Sequence, residues 1–152
     1  MTRFVALAVA ALALGLVGAQ PAAHAADITG VWLTDTADAH IRMAKCGANM
    51  CGAIVWLKTP NDPRTGQPLT DAKNPDPSRR GRPMIGTMIA VSFRPSSGEP
   101  SKYIGHFYNA DDGNTYNGSI FQSGPDELKV TGCLLMFCQT QTWTRVPEQR
   151  RR

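Results

Sequence analysis

The sequence predicts an all-β protein, an antiparallel up-and-down barrel of eight strands interrupted by one long proline-rich loop. Three observations predict this fold. Apolar and polar residues alternate with a period of two along most of the chain, and no window shows a helical stripe. Short turn sequences rich in Gly, Asn, Asp and Ser separate most of the alternating segments. Between Thr59 and Pro83 the chain carries six prolines, and this stretch cannot be a central strand because proline lacks the backbone donor.

The first 25 residues have the features of a secretory signal peptide. Arg3 provides a positive N-terminal region, residues 4–17 are an unbroken apolar stretch, and Ala23-His24-Ala25 is a small-residue cleavage site. This stretch is too short for a comfortable membrane span, and no later segment reaches the ~18 apolar residues that a span needs, so no transmembrane segment is predicted. Cleavage near Ala25/Ala26 would leave 127 of the 152 residues. The sequence therefore predicts a periplasmic or secreted protein.

The predicted mature chain is one domain by length. Loss of Arg3 lowers the net charge from +4 to +3, a balance that favours acidic partners only weakly. Residues 148–152 are a basic C-terminal tail, interpreted as solvated because no basic stripe interleaved with aromatic residues accompanies it. No nucleic-acid partner is predicted. The expected organisation is a signal peptide at 1–25, a barrel domain at 26–147 and the tail at 148–152.

All four cysteines follow the predicted cleavage site as two pairs with the same spacing, Cys46/Cys51 and Cys133/Cys138. Disulfides are the expected state in an exported protein. We favour the two local pairings among the three connectivities, because each pair brackets a short turn. A zinc site of four thiolates is the alternative, although four intervening residues exceed the usual spacing of zinc knuckles. No metal and no cofactor are predicted.

Eight strands are predicted in sequence, most of them separated by turn signals. They are Gly30 to Thr34, His40 to Lys45, Gly52 to Lys58, Ile85 to Phe93, Lys102 to Asn109, Thr115 to Gln122, Glu127 to Gly132 and Thr140 to Val146. Short links imply an antiparallel meander, which can remove its free edges by closing into a barrel. The proline-rich stretch is expected to be an ordered loop, and one helical turn can follow Asp76-Pro77.

A Gly-x-Trp motif opens the first predicted strand as Gly30-Val31-Trp32, and Arg145 lies on the last one. This pattern resembles lipocalin-like barrels of the calycin architecture, in which the indole lies at the closed end and an arginine from the final strand packs over it. A guanidinium stacked on an indole contributes about 0.5–2 kcal/mol. The alternative is that Trp32 is an ordinary core aromatic and Arg145 a surface charge.

Longer stretches resemble one family of exported bacterial proteins, domain-of-unknown-function family 2147. They cover nearly the whole predicted mature chain: Gly30-Val31-Trp32-Leu33, residues 44–47, residues 51–57, Asn61-Asp62-Pro63, Asn74-Pro75-Asp76-Pro77, Gly81-Arg82-Pro83, residues 108–116 and residues 141–146. The resemblance implies a fold similar to that of lipocalins. It implies no activity, and no catalytic residue is carried over from it.

Few side chains offer chemistry beyond the fold. His106 shares a strand face with Tyr108, and if that face points inward both are polar tips in an apolar cavity. Arg79 and Arg82 in the long loop can hold a phosphate or carboxylate head group at the barrel mouth. A satisfied wall histidine and a solvated basic loop are the alternatives. The candidate ligand-binding residues are therefore Trp56, His106, Tyr108, Tyr116, Arg79 and Arg82.

Three functions fit these features. The first is an exported barrel that binds a small, mainly apolar molecule, with the proline-rich loop as a lid. The second is an envelope-associated interaction or homeostasis protein whose barrel is filled by its own side chains and whose loop docks an unknown protein partner. The third is a hydrolase or isomerase using His106 with an aspartate. It has the least support because no nucleophile–base pair is visible, so binding is favoured over catalysis.

Overall fold

A computed structural model describes residues 25–147, in which eight antiparallel strands close into a barrel. The predicted fold is thus confirmed, whereas the predicted signal peptide, apart from Ala25, and the basic tail lie outside the described residues. Within residues 25–147 no helix has the length and apolarity needed to cross a membrane. The strands are β1 (Gly30–Leu33), β2 (Ala39–Cys46), β3 (Asn49–Leu57), β4 (Met88–Pro95), β5 (Lys102–Asn109), β6 (Asn114–Gly124), β7 (Glu127–Leu134) and β8 (Phe137–Arg145).

Each strand pairs with the next one along the chain, and β1 also pairs with β8 to close the barrel. At this closure Trp32 lies opposite Arg145 and Leu33 opposite Thr144. Because consecutive strands run in opposite directions, the connections divide between the two ends of the barrel. The closed end carries the β2–β3, β4–β5 and β6–β7 turns. The open end carries the β1–β2, β5–β6 and β7–β8 turns and the long loop between β3 and β4.

Trp32 and Arg145 form the seal that the sequence predicts at the closed end. Trp32 is fully buried, and the Arg145 guanidinium carbon lies 4.2 Å from the centroid of its ring. The same guanidinium donates a 2.9 Å hydrogen bond to the Thr29 carbonyl. Gly30 has a φ of 118°, and a Cβ there would lie 2.7 Å from Arg145 Nη1. Glycine is therefore required beside this arginine.

Large side chains fill the barrel from the closed end to its middle. The Phe93 and Phe107 rings lie 4.7 Å apart between centroids, and both lie where glycine leaves space for them. A Cβ on Gly105 would lie 2.8 Å from the Phe93 ring, and one on Gly118 would overlap Phe107. The fully buried core includes Ile28, Trp32, Ile41, Met43, Ala90, Phe93, Ile120 and Leu128.

Both cysteine pairs form the predicted local disulfides. The Cα atoms are 5.7 Å apart in Cys46–Cys51 and 4.0 Å apart in Cys133–Cys138. The cysteines belong to paired strands rather than to the turns, since Cys133 lies directly opposite Cys138. For this reason β3 and β8 each begin three residues before their predicted starts at Gly52 and Thr140.

Backbone hydrogen bonds order the long loop, as expected from the turn-forming Asn, Asp and Pro residues along it. Isolated bridges pair Asn61 with Pro68 and Thr70 with Pro83. A short 3₁₀ turn spans Pro77–Arg79, and Asp76 caps it by accepting from the Ser78 amide at 2.9 Å. The strand that follows begins at Met88 rather than at the predicted Ile85. The reason is a turn in which the Thr87 amide donates to the Met84 carbonyl and Gly86 has a φ of 98°.

Candidate binding site at the open end of the barrel

A cavity of about 450 Å³ lies inside the open end and is called the first cavity here. Its barrel wall is apolar and includes Ile41, Ile54 and Ile89. The long loop adds Leu69 and Met84, two of its few large apolar residues. The proline-rich loop therefore supplies part of the wall of this cavity.

A second cavity, of about 490 Å³, adjoins the first, and the two share Ile89, Tyr108, Asn109 and Asp111. Aromatic side chains contribute much of its wall: Phe107, Tyr116 and Trp143. The Phe107 and Trp143 rings contact edge to face, with centroids 6.2 Å apart. Together the two cavities give the open end a largely apolar interior wall.

Charged groups of both signs line the first cavity beside its apolar wall. They are Asp38, Lys58 and Asp111, and Thr34 lies next to them. The Thr34 hydroxyl donates a 2.7 Å hydrogen bond to Asp38. Burial alone would raise the pKa of Asp38, but hydrogen bonds from Thr34 and Thr36 hold it below its ordinary value. Asp38 is therefore a carboxylate near neutral pH and can accept a hydrogen bond from a polar group.

Tyr116 lines the second cavity, as expected for a candidate ligand-binding residue, and its hydroxyl donates to the Asp112 carboxylate in the β5–β6 turn. This bond raises the pKa of Tyr116 and lowers the pKa of Asp112. The Asp112 carboxylate also accepts from the Asn114 amide at 2.8 Å. The hydroxyl end of Tyr116 is thus fixed at the turn, and its ring lies along the cavity wall.

Tyr108 lies on β5 where the strand meets the long loop, and it borders both open-end cavities and the space under the loop. Its hydroxyl donates a 2.5 Å hydrogen bond to Asp71 Oδ1, and Asn74 donates a 2.6 Å bond to Asp71 Oδ2. Asp71 is only 3% exposed and is the one buried charged residue within 25–147. Burial and the bond to Asp71 raise the pKa of Tyr108 to about 12. This pair anchors the loop to the barrel.

Arg79 and Arg82 line a separate cavity of about 690 Å³ between the long loop and the outer face of β4. Exposed apolar residues, Ile85 and Met88, lie on the same cavity. Arg79 is paired with Asp76 at 3.1 Å and is largely exposed. The two arginines therefore do not reach the interior cavities, contrary to their predicted place at the barrel mouth.

Trp56 was expected among the cavity residues, but the structure places it on the outer face of β3. It is 40% exposed, and its ring lies 4.4 Å from that of His40 between centroids. A β-bulge is the reason: Ile41 pairs with Ile54 and His40 pairs with Trp56, so Val55 is an extra residue. One extra residue reverses the alternation of faces. Leu57 consequently takes the inward position that Trp56 would have occupied.

His106 also lies outside the barrel, so the expectation that it faces the cavity is wrong. Tyr103 and Phe107 belong to the interior, and Gly105 lies against Phe93. Alternation then directs His106 outward, where it is exposed. Within residues 25–147 neither His40 nor His106 forms an ion pair with a carboxylate. No group of three or more His, Cys, Asp or Glu in that range is placed to hold a metal ion.

The sequence analysis missed several residues that shape the site. Leu69, Met84 and Ile89 are cavity walls, and Asp71 fixes the loop that carries two of them. The isolated apolar residues in an otherwise polar, proline-rich loop were the available signal for Leu69 and Met84. No local pattern marks Asp71, since its partner Tyr108 is 37 positions away.

Comparison with known proteins agrees with this architecture. Residues 30–145 match the family described as "Uncharacterized protein conserved in bacteria (DUF2147)". A similar solved structure is that of HP1028 from the human pathogen Helicobacter pylori, described as belonging to the lipocalin family. It is 20% identical, with a TM-score of 0.65 over 80% of this chain and 84% of that chain, a likeness that shows the fold alone. No curated protein matches the chain.

Proposed function

This chain belongs to the bacterial DUF2147 family and folds as a lipocalin-like barrel, and from that premise we propose that it binds one small, mainly apolar molecule at its open end. The supporting observation is a pair of adjoining cavities at the open end, of about 450 and 490 Å³, whose walls include the core side chains Ile41, Ile54 and Trp143. Each lies within the ~300–1,000 Å³ typical of ligand pockets.

The lining indicates the chemistry of the ligand. Apolar groups such as Ile54, Ile89 and Trp143 favour an apolar body. Asp38 and Lys58 offer an acceptor and a donor at the same cavity, which favours a ligand with one polar group. Of the six candidate residues, Tyr116 is the one whose position along the inner wall best supports direct contact. Tyr108 contributes by holding the loop.

We further propose that the protein acts in the periplasm or outside the cell. The sequence of residues 1–25 has the features of a signal peptide, and two disulfides suit an oxidising compartment. The amide of Ala26 donates to the Pro100 carbonyl at 3.0 Å, and its carbonyl accepts from Tyr103 at 2.7 Å. Two hydrogen bonds therefore hold Ala26, the residue expected to become the mature N-terminus, against the barrel.

Titration with the neutral fluorescent probe N-phenyl-1-naphthylamine tests the proposal. The chain from Ala26 to Arg152 is expected to bind one probe, and Ile89→Trp is expected to weaken binding at least about tenfold, because the larger side chain fills space shared by both cavities. Ile104→Trp is the matched control, since Ile104 is exposed on the outer face of β5. Equal binding by all three proteins would contradict the proposal.

The alternative is an envelope-associated interaction or homeostasis protein whose barrel serves as a filled scaffold. The packed middle of the barrel, around Phe93 and Phe107, favours this role. If no probe enters the open end of the unsubstituted chain, the scaffold role becomes the better account. The hydrolase or isomerase hypothesis required a carboxylate beside His106. It finds no such geometric support within the described residues.

A further inference from the structure

The turn between β7 and β8 exposes four consecutive large apolar side chains, Leu134 to Phe137, here called the apolar tip. Their exposed fractions are 50% for Leu134, 90% for Leu135, 85% for Met136 and 77% for Phe137. Scattered single apolar residues are common on protein surfaces, whereas a contiguous apolar patch marks an interaction site. The barrel itself leaves these four neighbouring side chains uncovered.

Backbone strain at the tip also indicates that its side chains have a function. Leu135 has a φ of 55°, in the left-handed region where glycine or asparagine is favoured and a branched side chain is costly. A leucine at this turn position stabilises neither the turn nor the core, since it is 90% exposed. Strain retained at such a position indicates a function for the side chain. The Cys133–Cys138 disulfide closes the hairpin immediately below the tip and keeps it projecting.

From these features we propose that the apolar tip inserts into the interfacial region of a lipid bilayer. Four side chains of at most about 200 Å² each, partly covered, present a few hundred Å². This is less than the ~800 Å² that each partner contributes to a standard protein interface. A bilayer moulds around a tip of this size and requires no complementary surface.

The charges of the protein favour insertion of the tip into the uncharged part of the bilayer interface over binding to anionic head groups. Residues 132–141 contain no charged side chain, so insertion carries no penalty for desolvating an ion. Elsewhere at the open end, residues 34–38, 58–87 and 110–113 hold six Lys and Arg against seven Asp. This balance gives no net attraction to a negative surface. Binding should accordingly occur on neutral lipid and resist salt.

The tip also adjoins the second cavity, because Leu134 and Phe137 of the tip are among the residues that line that cavity. A barrel held by its tip would present the mouth of that cavity to the membrane surface, where apolar molecules concentrate. Membrane docking does not depend on ligand binding, however. Docking depends only on the exposure, the backbone strain and the lack of charge of the tip. A barrel that binds no ligand would therefore still dock.

Flotation with phosphatidylcholine vesicles tests the proposal, using the chain from Ala26 to Arg152. This chain contains the whole barrel and omits the apolar segment 4–17, which would itself bind lipid. The chain is expected to float with the vesicles, and raising NaCl from about 50 to about 500 mM should leave the bound fraction unchanged. Met136→Asp is expected to lower the bound fraction about tenfold.

Two further variants separate the tip's role from folding. Ala48→Asp places the same charge in the other disulfide-closed hairpin, at the opposite end of the barrel, and should bind like the unsubstituted chain. Leu135→Gly should bind vesicles more weakly while its melting temperature stays equal or rises, because glycine relieves the left-handed strain.

Four results would overturn the proposal. One is the absence of vesicle binding by the unsubstituted chain, and another is equal binding by Met136→Asp. The third is binding that requires phosphatidylglycerol and disappears in salt, which would assign the contact to basic residues instead. If sedimentation velocity showed a dimer that Met136→Asp dissociates, the tip would be a contact between copies and the membrane role would be wrong.

Discussion

Tyr108 on β5 donates its phenolic hydrogen to Asp71 of the long loop at 2.5 Å, linking two segments 37 residues apart. Asp71 is buried, and Asn74 donates to its second carboxylate oxygen. Because a buried carboxylate is costly unless it accepts hydrogen bonds, both donors stabilise Asp71, and the one from Tyr108 also joins the loop to the barrel. The same loop carries Leu69 and Met84 to the first cavity, so the pair also supports the candidate binding site.

Replacing Tyr108 by Phe should lower the free energy of unfolding by about 1–3 kcal/mol, since it removes a donor from the buried Asp71. The change should also release the loop, and trypsin should then cut faster after Arg79 and Arg80. Denaturant unfolding and timed proteolysis measure the two effects. Tyr116→Phe is the control, because its partner Asp112 is exposed and loses little. Equal effects from the two variants would show that Asp71 does not depend on Tyr108.

Titration of Tyr108 should occur near its raised pKa of about 12 rather than near the ordinary value of 10. A tyrosine whose pKa rises on folding contributes stability that is fully present below about pH 10 and is lost as the pH rises through about 12. The ultraviolet absorbance of tyrosinate, taken as the difference between the unsubstituted chain and Tyr108→Phe, reports this group. A difference spectrum centred on pH 10 would contradict burial of the pair.

Arg145→Lys should destabilise the barrel by about 1–3 kcal/mol although the positive charge is retained. The guanidinium stacks on Trp32 and donates to the carbonyls of Thr29 and Pro125, contacts that a single ammonium cannot reproduce together. Thermal and denaturant unfolding measure the loss. Arg42→Lys provides the control, since Arg42 is exposed on β2. An unchanged stability for Arg145→Lys would mean that the seal at the closed end is dispensable.

Removing either disulfide by a double Cys→Ser change should cost about 2 kcal/mol, at the low end for a native disulfide, because each closes a short loop. Both pairs have a sequence separation of 5, so Cys46/Cys51 and Cys133/Cys138 act as controls for each other. Denaturant unfolding under non-reducing conditions compares them. Loss of folding in one variant alone would reveal a role for that hairpin beyond loop closure.

Local signals in the sequence were sufficient to predict the architecture of the barrel. Period-two alternation and turn residues located all eight strands, and Gly30, Trp32 and Arg145 identified the closed end. Both disulfides followed from spacing and expected export. The sequence did not determine which face of each strand points inward, because an alternating pattern is equally regular with either set of residues inside. On β5 alternation left the inward face open, and in the structure inward Gly105 accommodates the Phe93 ring while His106 lies outside.

The remaining differences arise from interactions that no local pattern contains. Trp56 lies outside because the bulge at Val55 shifts the phase of β3, and nothing in that segment marks a bulge. Asp71 and Tyr108 meet only because the loop folds back across the barrel. Arg79 and Arg82 follow the same path and reach the outer face instead of the mouth.

Native mass spectrometry of the protein purified gently from its own cell envelope tests the central claim most directly, when denaturing analysis of any co-purifying molecule follows. A ligand-binding barrel should carry one small, mainly apolar molecule per chain, and Ile89→Trp should lose it while Ile104→Trp keeps it. A bare polypeptide, or a molecule retained equally by both variants, would contradict binding in the open-end cavities.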